Sequence, residues 1–352
     1  MKMKQLILPG LLLVMAIALS GCAAGLNASG WPGITADANS AYLSGGSYVY
    51  AVNLQTGAEL WRFPEKASST PFDAAPVLSP DGQLIVGGYD KKLYSLNPKT
   101  GVSNWQFTDA HDHWIGSVLV QDNLIYATNA DYNLYVLNMQ GQFQWKFAAE
   151  QGIWGSPVSD GTNIYFGALD RTVYAVNAKN GEQVWAHKVD GAVLGTPVLG
   201  DNHVLYVSSY GGTVYGLNTS DGAMVFSTAA SSWLWSGPTL DNSTLYFGDG
   251  AGKLYAQPIN GTGTAWQQKL NGSITASPLV EAGNVIIGTD SGNVYFVDMT
   301  GQTVRPISIS GKIYASPVAA GDLILVAPTA GTASMVALDQ TGAVKWSFTP
   351  AK

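Results

Sequence analysis

The sequence predicts an all-β protein, an eight-bladed β-propeller built from four-stranded antiparallel blades, and three observations carry that reading. A pattern of about 40 residues recurs eight times. Each copy divides into four short apolar segments separated by turn residues. The composition, with 41 glycines, 11 tryptophans, 17 tyrosines, 10 phenylalanines and only 12% charged residues, suits many short strands joined by tight turns.

The repeat is anchored on a turn ending in glycine, at Thr56-Gly57, Thr100-Gly101, Gln140-Gly141, Asn180-Gly181, Asp221-Gly222, Asn260-Gly261, Thr300-Gly301 and Thr341-Gly342. Six or seven residues before each glycine stands Tyr50, Tyr94, Tyr135, Tyr174, Tyr215, Tyr255, Tyr295 or Met335. Four or five residues after it stands Trp61, Trp105, Trp145, Trp185, Phe226, Trp266, Arg305 or Trp346. The glycine fits a hairpin that needs positive φ, which residues with a Cβ adopt only at a cost. The tryptophan that follows is large enough to plug the gap between neighbouring blades.

The fourth copy shows the strands: Ser156-Pro157-Val158, then Ile164 to Gly167, Thr172 to Asn177 and Gln183 to His187. Val173 and Ala175 alternate with Tyr174 and Val176, the period-2 pattern of a strand buried on both faces. No helical period of useful length follows Leu19. A single blade cannot cover its own two faces, so repeats of this kind must close into a ring or stack in a solenoid. Four strands per repeat favour the ring. Eight copies fill residues 31–352 and leave no room for a second domain.

The N-terminus predicts export. Lys2 and Lys4 precede an apolar run from Leu6 to Leu19, too short to span a bilayer, and small residues follow at Ser20 and Gly21. Residues 1–21 therefore read as a signal peptide. Leu19-Ser20-Gly21-Cys22 resembles the bacterial lipobox, which implies acylation of Cys22, the only cysteine of the chain. Residues 22–30 then form a lipidated N-terminus and flexible tether, and the domain is expected on the extracytoplasmic side as a membrane-anchored lipoprotein of the cell envelope. Ala23 resembles the residues that permit transfer to an outer membrane. Loss of residues 1–21 leaves 15 basic residues against 24 acidic ones, which argues against a nucleic-acid partner.

The pattern Ser-Pro-Val, a Tyr-Phe-Gly-like strand, then Val-Tyr-Ala-Val-Asn, Thr-Gly and Trp resembles the pyrroloquinoline-quinone (PQQ) type propeller repeat. With a lipobox and eight copies, the chain is similar to the BamB family of the bacterial outer-membrane protein assembly machine. That resemblance implies a non-catalytic scaffold without a cofactor, whose partners are other envelope proteins. The quinoprotein dehydrogenases share the repeat but resemble one another in a vicinal cysteine pair and a calcium site; this chain has Cys22 alone. A carbohydrate-binding, peptide-binding or sensor propeller is a further alternative.

The connection before each Ser-Pro strand is the most informative for function. Counted back from the proline or its equivalent, the fourth position holds Phe72, Trp114, Ile153, Val193, Leu234, Ile274 and Ile313, all apolar and readable as core. The third holds Asp73, Ile115, Trp154, Leu194, Trp235, Thr275 and Tyr314, a mixture suited to the mouth of a central funnel. Trp114, Trp154, Trp233, Trp235 and Tyr314 are the expected binding surface, with inter-blade packing as the competing reading. His111-Asp112-His113 offers two imidazoles and a carboxylate, a metal candidate that would need a ligand from another blade. His187 and His203 stand far from any nucleophile, and no catalytic motif is present.

Overall fold

The computed structural model describes residues 31–351, and within them every regular element is a β-strand. The predicted signal peptide, Cys22 and the tether lie outside the described residues. The strands form eight four-stranded antiparallel sheets in simple meander order, spanning 33–63, 77–107, 119–148, 158–188, 198–229, 239–269, 279–308 and 318–348. In the fourth blade the strands are Val158–Ser159, Asn163–Gly167, Thr172–Asn177 and Gln183–Lys188, within a residue of the sequence reading at most ends. The inner strands are short, two to four residues, because space near the axis is limited. The eighth copy carries one feature beyond the pattern, a two-residue pairing of Lys312–Ile313 with Pro328–Thr329.

The core is divided among the seams. Eight clusters of buried side chains each join two neighbouring blades, and successive residues of one strand serve opposite seams. Val173 and Ala175 pack with Leu205 and Val207 of the fifth blade, whereas Tyr174 and Val176 pack toward the third. The eighth cluster unites Leu325, Met335 and Trp346 of the last blade with Ile34, Leu43 and Tyr50 of the first. The ring is therefore closed and not an open stack.

Each tryptophan at the outer strand caps the turn glycine of the following blade. A Cβ at Gly101 would lie 2.6 Å from the Trp61 ring, and one at Gly57 would lie 2.8 Å from the Trp346 ring. Both glycines also have φ above +70°, so conformation and space select the same residue. In all of these tryptophans but Trp145 the indole Nε1 also donates to a carbonyl of that neighbour, as in Trp61 to Pro98 at 2.9 Å, Trp185 to Thr219 at 2.8 Å, Trp266 to Met299 at 2.9 Å and Trp346 to Leu54 at 2.8 Å. The last of these closes the ring between its two ends.

Two seams depart from the rule. Phe226 stands where the fifth blade should carry tryptophan, and a Cβ at Gly261 would meet nothing within 4 Å. Arg305 stands there in the seventh blade, its guanidinium lying over the Phe296 ring at 4.8 Å, while Ile307 covers Gly342.

Serines tie the inner strands around the axis. The Ser117 and Ser277 N–H groups donate to Ser156 Oγ and Ser316 Oγ of the next blade, each at 2.9 Å. The hydroxyls of Ser117 and Ser277 donate to Ala75 and Gly237 carbonyls of the preceding blade. These bonds explain why Ser-Pro recurs: the hydroxyl bridges blades, and proline occupies an inner edge where no ladder partner is needed.

Candidate functional site

The connections leading into the inner strands converge on one end of the axis and enclose a funnel of about 1190 Å³. All seven third-position residues, Asp73, Ile115, Trp154, Leu194, Trp235, Thr275 and Tyr314, line it. All seven fourth-position residues are at most 1% exposed. Adjacent positions of one connection thus point to opposite sides of the wall, one into the blade seam and one into the cavity.

An eighth member completes the ring. Thr35 pairs with Tyr42 in the first blade as Val158 pairs with Tyr165 in the fourth, so Trp31 occupies the position equivalent to Trp154. It lines the funnel and stacks on Tyr314 of the adjacent blade, with ring centroids 5.7 Å apart and planes 18° from parallel. Trp31 also lies 4.5 Å from Trp235, two blades further round. The first copy lacks Ser-Pro, having Gly33-Ile34 instead, so counting back from proline could not find it. Strand register is the signal that does.

The aromatic side chains form one continuous group. Trp235 lies 6.5 Å from Trp154 and 6.3 Å from Trp233, and Trp233 stacks on Tyr210 at 5.7 Å. Trp154, Trp233, Trp235 and Tyr314 are half-buried, Tyr210 is exposed, and Trp233 stands one step outside the cavity wall. Trp114 does not belong with them. It is 1% exposed and packs among Phe107, Val118, Ile125 and Tyr135 in the seam between the second and third blades. Its place is corrected from the binding surface to the core, for the same reason as the other fourth-position residues: alternation turns it away from the axis.

The opposite sector of the funnel is polar and acidic, with Asp73, Tyr89, Asp112, His113, Tyr132 and Glu150. Asp73 is only 9% exposed and its Oδ1 has no hydrogen-bond partner. Burial pushes its carboxyl up to about 6, against the opposing pull of the Tyr89 phenol and the His113 imidazole. Burial and the Asp73 charge likewise raise the Tyr89 phenol. Asp112 behaves differently: its partial burial is outweighed by hydrogen bonding from His113, and its carboxyl is lowered. The His113 N–H donates to Asp112 Oδ1 at 2.8 Å, and the imidazole Nδ1 also meets that oxygen.

The two histidines do not converge on one ion. His111 is exposed, with its backbone N–H bonded to Asp131 Oδ2 at 2.8 Å, while His113 packs edge-on against Tyr89 at 4.5 Å. Among the described residues, no group of three or more His, Cys, Asp or Glu side chains is placed to hold a metal.

The architecture and repeat define the class of protein, an eight-bladed propeller of PQQ-like repeats with an axial funnel. The family profile described as "Outer membrane protein assembly factor BamB" matches residues 45–152, 138–261 and 259–351, and the chain belongs to that family. Outer membrane protein assembly factor BamB of Shewanella oneidensis is 24% identical over 288 residues, covering 75% of this chain and 71% of that protein. The crystal structure of BamB from Moraxella catarrhalis has the same fold, with a TM-score of 0.72 and 19% identity over 86% of this chain and 92% of that one. Tetrathionate hydrolase of Acidithiobacillus ferrooxidans is 25% identical over 148 residues, which are 42% of this chain and 27% of the hydrolase. That match spans about a quarter of the enzyme's length.

Proposed function

We propose that this protein is a lipid-anchored, non-catalytic scaffold of outer-membrane protein assembly that holds an envelope protein at the funnel mouth. Family membership supports the cellular role. The observation that carries the binding site is the ring of third positions, where eight equivalent places in a regular repeat hold eight side chains of very different character around one cavity. A position kept for packing would be uniform, as the fourth position is. Aromatic side chains gathered on an open concave surface supply large contact area at small entropic cost, the usual anchor of a protein interface.

The anchor constrains how the partner arrives. Trp31 lies in the funnel, nine residues after Cys22. A lipid on Cys22 would therefore hold the funnel mouth within roughly 30 Å of the bilayer, the reach of nine extended residues. A partner at the mouth would sit between the ring and the membrane or at its border.

Site-specific photo-crosslinking in native membranes tests the reading. A photoreactive residue in place of Tyr314 is expected to capture subunits of the assembly machine, whereas one in place of Phe143, exposed on an outer strand of the third blade, is not. Capture from Phe143 and none from Tyr314 would move the interface away from the funnel.

A further inference from the structure

We propose that the funnel contains a subsite for one organic cation, the guanidinium or ammonium group of a basic residue on a partner protein's loop, received by the carboxylate of Asp73. This rests on the reading of the funnel as a protein-binding site and adds the chemistry of its ligand.

Asp73 is the side chain in this funnel whose own surroundings leave it unsatisfied. It is more than nine-tenths buried, it lines the cavity, and its Oδ1 accepts no hydrogen bond. A buried carboxylate with one oxygen left unpartnered is costly, and a sequence optimised for stability alone would replace it. A seam position could be filled by an apolar residue, as Phe72 beside it shows. Asp73 nonetheless belongs to the cavity lining, so a group that enters the funnel can meet this carboxylate.

The charge of the wall says which kind of group. Asp73, Asp112 and Glu150 contribute three carboxylates to the lining, and among the described residues no lysine or arginine lines the cavity. The titratable groups that face Asp73 are Tyr89, in the turn between the second and third strands of its own blade, and His113, in the connection to the next. The His113 imidazole already meets Asp112 through Nδ1, and no direct contact joins it to Asp73. A bare metal ion is disfavoured by the lack of converging ligands among the described residues. An organic cation needs fewer, and its apolar stem needs what the other sector provides. In the ring, Asp73 stands between Trp31 and Ile115, and the aromatic group continues from Trp31 to Tyr314, Trp235 and Trp154. An arginine or lysine stem lies well on indole faces, with its head on a carboxylate.

Size favours a loop over a free solute. The cavity of about 1190 Å³ exceeds the roughly 300–1,000 Å³ that accommodate a drug-sized molecule. One free amino acid would leave most of it empty, whereas a loop that inserts one basic and one apolar residue would span both sectors.

Calorimetric titration of the full chain in detergent tests the proposal with three probes: Ac-Leu-Arg-Leu-NH2, the same peptide with neutral citrulline for arginine, and argininamide. The arginine peptide is expected to bind at least tenfold more tightly than either of the others. Asp73→Asn and Asp73→Ser should bind the arginine and citrulline peptides alike, while melting no lower than the parent. The parent binding both peptides equally, or binding neither, or either variant keeping the discrimination, would overturn the cation subsite. Argininamide binding as tightly as the peptide would overturn the assignment to a protein loop. Capture of assembly subunits from Tyr314 without any preference for arginine would remove the subsite and leave the scaffold intact; loss of both results would remove both.

Discussion

Two neighbouring positions in the connection that enters each inner strand have taken opposite courses. The fourth position before the proline is apolar and buried in every blade where it was counted, from Phe72 to Ile313. The third, one residue on, faces the funnel and is aspartate, isoleucine, tryptophan, leucine, threonine or tyrosine according to the blade. One bond along the chain separates a place where seven copies face the same packing problem from a place where each copy presents its own side chain to the funnel. In a repeat protein every seam asks the same of its residues, so departure from the pattern at a single phase has a cause other than packing.

The largest effect should come from breaking what is uniform. Trp346 caps Gly57 and donates to Leu54 O at the junction of the last and first blades. Trp346→Ala is expected to cost about 3–5 kcal/mol in denaturant unfolding. Phe226→Ala, at the seam where the turn glycine has no ring against it, should cost distinctly less. Equal losses would mean that the indole cap contributes nothing beyond its area.

Asp73→Asn should act in the other direction and with a pH dependence. The folded-state carboxyl is raised to about 6 from its ordinary 3.8, so the folded protein binds this proton more tightly than the unfolded chain. The stability that protonation contributes is fully present below pH 3.8 and is lost as pH rises through 6. Above that, the ionised group costs up to about 3 kcal/mol, from 1.36 kcal/mol per pKa unit. Asparagine carries no such charge. Its advantage in melting temperature is therefore expected to be largest at pH 7–8 and to vanish near pH 4, with Tyr89 and His113 as the neighbouring groups that modulate it. A variant less stable than the parent at pH 8 would show that Asp73 is satisfied in the fold.

Most of the fold was legible because the seams repeat. The glycine and tryptophan of each copy set the phase, and alternation in segments such as Val173 to Val176 assigned side chains to the two faces, as the seam clusters bear out. The funnel lining was legible for the same reason, since all seven third-position residues counted from the repeat line the cavity. What escaped did so where the phase marker fails. Trp31 precedes a first copy without Ser-Pro, and its equivalence emerges only from the pairing of Thr35 with Tyr42. Trp114 looked like its aromatic neighbours by residue type, but one step in phase places it in the seam. Tyr210, in the turn between the second and third strands of the fifth blade, joins the aromatic group through Trp233 from a distant part of the sequence. The unsatisfied Oδ1 of Asp73 is a property of burial that no spacing reveals.

The most direct test of the division between seam and funnel pairs one stability measurement with one capture measurement on Trp154→Ala combined with Trp235→Ala. Both side chains are half-buried and touch mainly the aromatic group of the mouth. The melting temperature is expected to stay within about 2–4 °C of the parent, while co-purification of assembly subunits from crosslinked membranes is lost. A fall in stability as large as that of Trp346→Ala, with capture unchanged, would contradict it and return these tryptophans to the role of packing.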